Sequence, residues 1–292
     1  MARSRTKKST IVRAKFIRAG FGLAERVAPA LGGRLALKIW CTPRHARPSA
    51  APQPGVRHSV TVGGSTVLAE SWGSGPVVYL VHGWGGHRNQ LSRFVAPLVA
   101  AGHRVVAFDA PSHGESGPGA LGRRRATLPE FSDALTAVVA EFGPAHGIVA
   151  HSMGATATAL AVLDGLAATR LVFIAPMADP MAQTHLFARY LGFGDRVHRA
   201  FIARLEQVAG RPMSSFAIPS RAVDRHLPPA LVLHDQRDRE VAHANGESLA
   251  SAWPGATLVT TEGLGHHRIL TDSDVVGEVI TFVTAPTPAV RH

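Results

Sequence analysis

From residue 56 onward the sequence alternates short apolar runs with stretches of helical spacing, and this alternation leaves few folds open to the chain. The runs at 77–81 and 105–108 are continuously apolar, as in strands buried on both faces of a parallel sheet. Further strands are expected at 147–150, 171–175, 231–234 and 258–261, and residues 56–62 and 66–72 alternate about Gly63-Gly64 as a hairpin would. Between them, 91–101, 153–166, 244–251 and 273–283 carry helical spacing. So does 127–141, which Thr127 opens with Glu130 three residues on, a capping box. The alternation predicts an α/β fold with a doubly wound, mostly parallel sheet of eight strands. Residues 177–225 hold no convincing strand but look helical at 186–191 and 197–208, so a small helical cap is expected there.

The charge is unevenly placed. Twelve of the 31 Lys+Arg residues and one of the 20 Asp+Glu residues, Glu25, fall in the first 50 positions. The formal charge of +11 therefore belongs to this leader, and the remainder is neutral. Residues 1–9 are basic and expected to be disordered. Residues 10–40 read as one or two amphipathic helices, with Ile11, Phe16, Ile17, Phe21, Leu23 and Val27 as apolar positions and a break at Pro29, Gly32 and Gly33. Residues 43–55 read as a Pro/Ala-rich linker. The division predicted is a basic amphipathic leader plus linker over 1–55 and a folded domain over 56–292. Cys41 stands alone, so no intrachain disulfide is available. No run approaches the length of a membrane span, and Glu25, Arg26 and Pro29 interrupt what would be the apolar core of a signal peptide.

Four loops at predicted strand ends carry reactive residue types, at the edge where open α/β sheets place ligands. Ala150-His151-Ser152-Met153-Gly154 joins a strand to a helix and matches G-x-S-x-G except for its first residue. A serine in such a turn is strained and exposes its Oγ, while the start of the following helix offers the Met153 N–H to a developing anion. His82-Gly83-Trp84-Gly85-Gly86 follows the strand at 77–81, and its glycines let a backbone N–H turn toward that serine. His234 through Val241 contains two carboxylates at a strand end, Asp235 and Asp238, and by chemistry alone either could orient a histidine. Gly263-Leu264-Gly265-His266-His267 follows the last strand, and that position singles out His266 among 16 histidines.

The order Ser152, Asp238, His266 resembles that of the α/β-hydrolase family, in its esterase/lipase-like branch, over about residues 56–285. Phe108 through Ser116 is similar to the family's D-x-P-G-x-G-x-S loop, with Ser112 at its first glycine. That loop is structural in the family, so Asp109, Ser112 and His113 receive no catalytic role. The family pattern H-G-x-x-D-x-x-V falls on His234 to Val241, which implies Asp238 as the triad acid and leaves Asp235 as the departure. The resemblance also implies Trp84 as the oxyanion donor beside Met153, and Asp179 as a reserve acid.

These readings imply a serine hydrolase of the α/β-hydrolase fold, cleaving a carboxylic ester or related acyl bond of a small molecule through an acyl-enzyme, with no metal and no organic cofactor. Two alternatives stay open: an acyltransferase using the same triad, and a non-catalytic binding protein of the same fold, for which Ala150 and Asp235 are the hints. The cap arginines Arg189, Arg196, Arg199, Arg204 and Arg211 could meet an anionic acyl group, although arginines so spaced usually face solvent. Nucleic acid is not an expected partner, because the neutral body lacks a basic face. The expected location is the cytoplasm. For the leader, peripheral contact with the inner face of the membrane and packing as a helix on the catalytic domain are equally open.

Overall fold

In the computed structural model, residues 2–44 and 53–286 are described, so 45–52 of the expected linker lie outside the described residues. Eight strands form one sheet: β1 (Val56–Val62), β2 (Ser65–Trp72), β3 (Val77–Val81), β4 (Arg104–Phe108), β5 (Ala145–His151), β6 (Ala168–Ile174), β7 (Ala230–Asp235) and β8 (Ala256–Thr261). The helices are α1 (Ala2–Val27), α2 (Pro29–Trp40), α3 (Val95–Ala100), α4 (Leu128–Phe142), α5 (Met153–Leu163), α6 (Pro180–Leu191), α7 (Asp195–Ala209), α8 (Ile218–Ala222), α9 (Ala244–Ala252), α10 (Gly265–Arg268) and α11 (Ser273–Thr284). The chain divides into two compact units, Met1–Thr42 with Asp179–Ala217, and Pro43–Ala178 with Ile218–His292.

The larger unit contains the sheet, in the order β1-β2-β4-β3-β5-β6-β7-β8. The β1–β2 hairpin and the β2–β4 pair are antiparallel, and β4-β3-β5-β6-β7-β8 run parallel. The predicted eight-stranded, mostly parallel sheet is thus the observed one. Val78 and Leu80 of β3, Val149 of β5, Val172 of β6 and Leu231 of β7 meet Val275, Val279 and Val283 of α11 and Leu98 of α3 in one apolar core. A smaller cluster joins Phe131 of α4 to Ala157 of α5. The capping box is formed as expected, with Thr127 N donating to Glu130 Oε2 at 2.7 Å.

Helix ends depart from the sequence pattern where backbone chemistry intervenes. The stretch 91–101 is a 3-10 segment, Arg88–Phe94, followed by the short α3. Pro97 has no N–H to give to a preceding carbonyl, so a helix can contain it only in its first turn. The helix from Met153 stops at Leu163, ahead of Gly165 at φ 114.

The smaller unit joins the leader helices to the insertion between β6 and β7. Its aromatic core consists of Phe21, Trp40, Phe187, Phe193 and Phe201, with Phe21–Phe193 and Trp40–Phe187 ring centroids each 5.1 Å apart. The break predicted over Pro29, Gly32 and Gly33 falls at Pro29 and does not extend to the glycines. The chain turns at Ala28, with Pro29 opening α2, and both glycines lie inside that helix. A Cβ on Gly32 would come within 2.7 Å of Val197 Cγ2, and one on Gly33 within 2.7 Å of the Ala200 carbonyl carbon. The glycines are therefore the notch into which α7 fits. Residues 2–9, expected to be disordered, belong to α1; no proline or glycine precedes Gly20, and Arg and Lys are good helix formers. The expected cap of 177–225 contributes Asp179–Ala217 to this unit, whereas α8 belongs to the sheet unit. There Ile218 N donates to Ala178 O at 3.1 Å and closes the base of the insertion.

Glu25, the lone acid of the leader, has a defined place. Its carboxylate accepts from the N–H groups of Gly194, Arg196 and Val197 at 3.0, 2.8 and 3.0 Å, at the N-terminus of α7. Burial opposes ionisation, but the three N–H groups outweigh it and lower the carboxyl pKa. The stabilisation is therefore complete above an unfolded glutamate's pKa of roughly 4.3 and is lost as pH falls through the lower folded value. Glu25→Ala is expected to cost about 1–2 kcal/mol at pH 7. The check is hydrogen exchange of the Gly194, Arg196 and Val197 amides, which should accelerate in the variant at neutral pH, with the difference from wild type narrowing as the pH falls through the lowered folded value.

Candidate active site

The loops after β3, β5, β7 and β8 bring the predicted residues to the carboxyl edge of the sheet. Ser152 sits between β5 and α5 at φ 53, ψ −122, a left-handed conformation that costs a non-glycine residue about 1–3 kcal/mol. Two features hold it there. Ser152 N donates to Ile174 O at 2.9 Å, and Gly154 lies so close to the carbonyls of Val81 and His82 that any Cβ would collide with them. Ala150 needs no such freedom. It lies within β5, outside the left-handed region, and accommodates its methyl group.

His266 connects two of the other groups. Its Nε2 lies 2.9 Å from Ser152 Oγ, and its Nδ1 donates to Asp238 Oδ2 at 2.6 Å. A proton on Nδ1 leaves the Nε2 lone pair directed at the serine hydroxyl. The Asp238 side chain is fully buried, and its Oδ1 accepts from Glu240 N and Val241 N at 2.8 and 3.0 Å. Burial would raise its pKa, but contacts with His234 and His266 and the Val241 N–H together push it far below the usual carboxylate range. The adjacent His267 is on the surface, where it pairs with Glu240 at 2.9 Å.

The other carboxylates are otherwise engaged. Asp235 Oδ2 accepts from Thr261 Oγ1 at 2.9 Å and from Leu264 N at 2.8 Å, and its Oδ1 accepts from Arg237 N at 2.9 Å. It staples the loop after β7 to the loop that carries His266. Asp179 caps α6 by accepting from Met181 N at 2.9 Å. Asp109 is buried against Arg88, whose guanidinium also reaches Glu70 and Glu115. Ser112 adopts φ 60, which accounts for a glycine at that place in the similar loops, and its Oγ accepts from Gly119 N at 2.9 Å.

The glycine-rich loop after β3 is wired from its far side. Gly83 N donates to Gln90 Oε1 at 2.9 Å, Gly85 N to His113 Nε2 at 3.0 Å and Gly86 N to Gly83 O at 3.0 Å. His82 accepts from Ala110 N at 3.0 Å and donates from Nδ1 to Gly83 O at 2.8 Å. Full burial, together with nearby His87, lowers the His82 pKa to about 4, so it stays neutral at pH 7. The Trp84 indole packs beside His113 and Phe131. Met153 opens α5, and its N–H is the first of that helix, a position with no intrahelical acceptor.

Two further histidines escape sequence reasoning. His151, an unspecified position of the serine motif, is buried and donates from Nε2 to the His266 carbonyl at 2.9 Å. Burial, then the neighbouring His266, hold its pKa well below the ordinary value. His234 donates from Nε2 to Val241 O at 3.0 Å and lies 3.4 Å from Asp238 Oδ2. Its place at the head of the H-G-x-x-D pattern is the only signal of its role. Of the cap arginines, Arg196 bonds the carbonyls of Glu25 and Arg26, and Arg211 lies over the Phe216 ring. Among the described residues no group of three or more His, Cys, Asp or Glu side chains could hold a metal ion.

The model of the alpha/beta hydrolase family matches residues 78–279, and the chain belongs to that family. The fold is shared with an esterase from Exiguobacterium antarcticum, at TM-score 0.60 and 14% identity over 79% of this chain and 100% of that one. Est1E from Butyrivibrio proteoclasticus, solved with ferulic acid bound, gives TM-score 0.59 and 18% identity over 77% of this chain and 99% of that one. Among curated proteins, the dihydrolipoyllysine-residue acetyltransferase component of the acetoin cleaving system of Pseudomonas putida is 30% identical over 193 residues, 65% of this chain and 46% of that protein. The counterpart from Cupriavidus necator is 31% identical over 46% of this chain and 31% of its own length. The chain thus spans less than half the length of the curated relatives it matches.

Proposed function

We propose that this chain is a serine hydrolase that cleaves a carboxylic ester or related acyl bond of a small molecule. The observation that carries the reading is the single imidazole of His266 between Ser152 Oγ and the buried Asp238 carboxylate, at 2.9 and 2.6 Å. In this mechanism His266 Nε2 takes the serine proton as Oγ attacks the acyl carbonyl. Asp238 fixes the tautomer and stabilises the imidazolium. The N–H groups of Met153 and Trp84 receive the tetrahedral oxyanion, each donor being worth about 3–4 kcal/mol of transition-state stabilisation. His266 then returns the proton to the leaving group, and water activated by the same nitrogen adds to the acyl carbon and releases the acid.

The test is covalent labelling by a fluorophosphonate probe. Folded wild type is expected to label at Ser152, and Ser152→Ala to lose labelling while keeping its melting temperature within a few degrees. Absence of labelling in folded wild type would leave a non-catalytic binding protein as the better reading. The curated relatives named as acetyltransferase components support a second reading, in which an alcohol or thiol replaces water in the second half-reaction. Product analysis of p-nitrophenyl ester turnover with added alcohol or thiol separates the two: transfer requires the acyl product on the acceptor rather than free acid.

A further inference from the structure

We infer that α1 and α2 form a docking surface for an anionic phospholipid bilayer, on which the protein rests without spanning it. The smaller unit, less than a third of the chain, carries seven of the nine exposed large apolar side chains among the described residues: Phe16, Leu23, Val27, Leu31, Leu35, Leu186 and Tyr190. Phe16, Leu23 and Val27, exposed by 74, 62 and 72%, recur at intervals of seven and eleven residues and so share one face of α1. That face is distinct from the one the helix spends on its own unit, where Phe21 is buried and Glu25 and Arg18 bond α7 and the end of α6. On α2, Leu31 and Leu35 are one turn apart on the outside, while Gly32, Gly33 and Ala36 face inward. Packing within the unit therefore leaves each helix with an unpartnered apolar face.

Charge identifies the occupant. The span of α1 contains eight Lys and Arg residues against one acid, and that acid, Glu25, is already committed to α7. Lys15, Arg26, Arg34 and Lys38 are exposed among the apolar positions. A second copy of the chain would cover the apolar faces but bring two strongly cationic leaders together. A nucleic acid would neutralise the cations but give five exposed Phe, Leu and Val side chains nothing to bury against. An anionic lipid surface meets both demands, with headgroups for the cations and the acyl boundary for the apolar face. No helix among the described residues is long and apolar enough to cross a membrane, and a basic amphipathic helix of this kind lies in the plane of the interface.

The test is co-sedimentation of the full chain with vesicles of phosphatidylcholine alone and of phosphatidylcholine mixed with phosphatidylglycerol. Partitioning onto the anionic vesicles is expected to be at least about tenfold stronger and to weaken with added salt. Lys15→Gln with Lys38→Gln should weaken it about fivefold per charge, and Phe16→Glu with Leu23→Glu more than tenfold. Wild-type circular dichroism melting controls for folding, and the lysine pair decides should the apolar pair fail to fold. Equal partitioning to both vesicle types, or to neither, overturns the proposal. So does a dimer in sedimentation velocity that Phe16→Glu with Leu23→Glu dissociates, or tighter binding to duplex DNA than to anionic vesicles.

Discussion

Asp238→Asn is expected to lower kcat for an activated ester by about ten-thousand-fold in a protein that still folds. The asparagine Oδ1 can still accept from the Glu240 and Val241 N–H groups, so the loop keeps its path. What changes is the group facing His266 Nδ1. An amide NH2 there favours the tautomer with the proton on Nε2, and that nitrogen can no longer take the proton from Ser152. Asp235→Ala should behave in the opposite way. It deprives Thr261 Oγ1 and the N–H groups of Leu264 and Arg237 of their acceptor, at about 1–3 kcal/mol for each group left buried and unsatisfied. It should therefore lower the melting temperature, with a fall in kcat of about a hundredfold at most from the displaced His266 loop. Comparable falls in kcat from the two variants would refute Asp238 as the orienting acid.

Arg88→Met is expected to destabilise the protein by about 3–5 kcal/mol, the usual cost of leaving buried charges without their counter-ion. The Arg88 side chain is 5% exposed, and its guanidinium meets Glu70 at 3.0 Å, Asp109 at 2.5 Å and Glu115 at 2.6 Å. Its own N–H donates to Asp109 Oδ1 at 2.6 Å. The residue stands two positions after Gly86, so the cluster ties the glycine-rich loop after β3 to the loop after β4. A melting-temperature loss on the order of 10 °C would follow, and replacing Glu70 by Gln in the same chain should recover part of it. If Arg88→Met melts within about a degree of wild type, the cluster contributes little and the loop is held by His82, Gln90 and His113.

The sheet was legible because its strands are either continuous apolar runs or a simple alternation, and because glycines mark the carboxyl-edge loops. The carboxyl-edge positions of Ser152 and His266 were legible for the same reason, since each follows a predicted strand and precedes a predicted helix. The choice between Asp235 and Asp238 was not legible from chemistry alone. Asp235 ends β7 and Asp238 lies three residues on, and what separates them is that Asp235 receives the Leu264 N–H, a contact across 29 residues, while Asp238 meets His266. His151 and His234 lay hidden because their contacts run to backbone carbonyls that no residue pattern encodes. The smaller unit was not legible as a unit. Its leader read as amphipathic helices and its insertion as a helical cap, and nothing local says that they belong together. Gly32 and Gly33 looked like a break because a glycine pair usually is one, and the close approach of α7 that requires them is a long-range fact.

The pairing of the leader with the insertion also has a temporal side. Glu25 and the Gly194 N–H that it holds are 169 residues apart, so during synthesis the leader emerges roughly 10–30 s before its partner exists. Through that interval Phe21 and Trp40, which the finished unit packs among aromatic rings, have no such rings to meet. These helices thus leave the ribosome well before the segment that packs against them, and until that segment follows, the leader stays a sticky, strongly cationic stretch of the nascent chain.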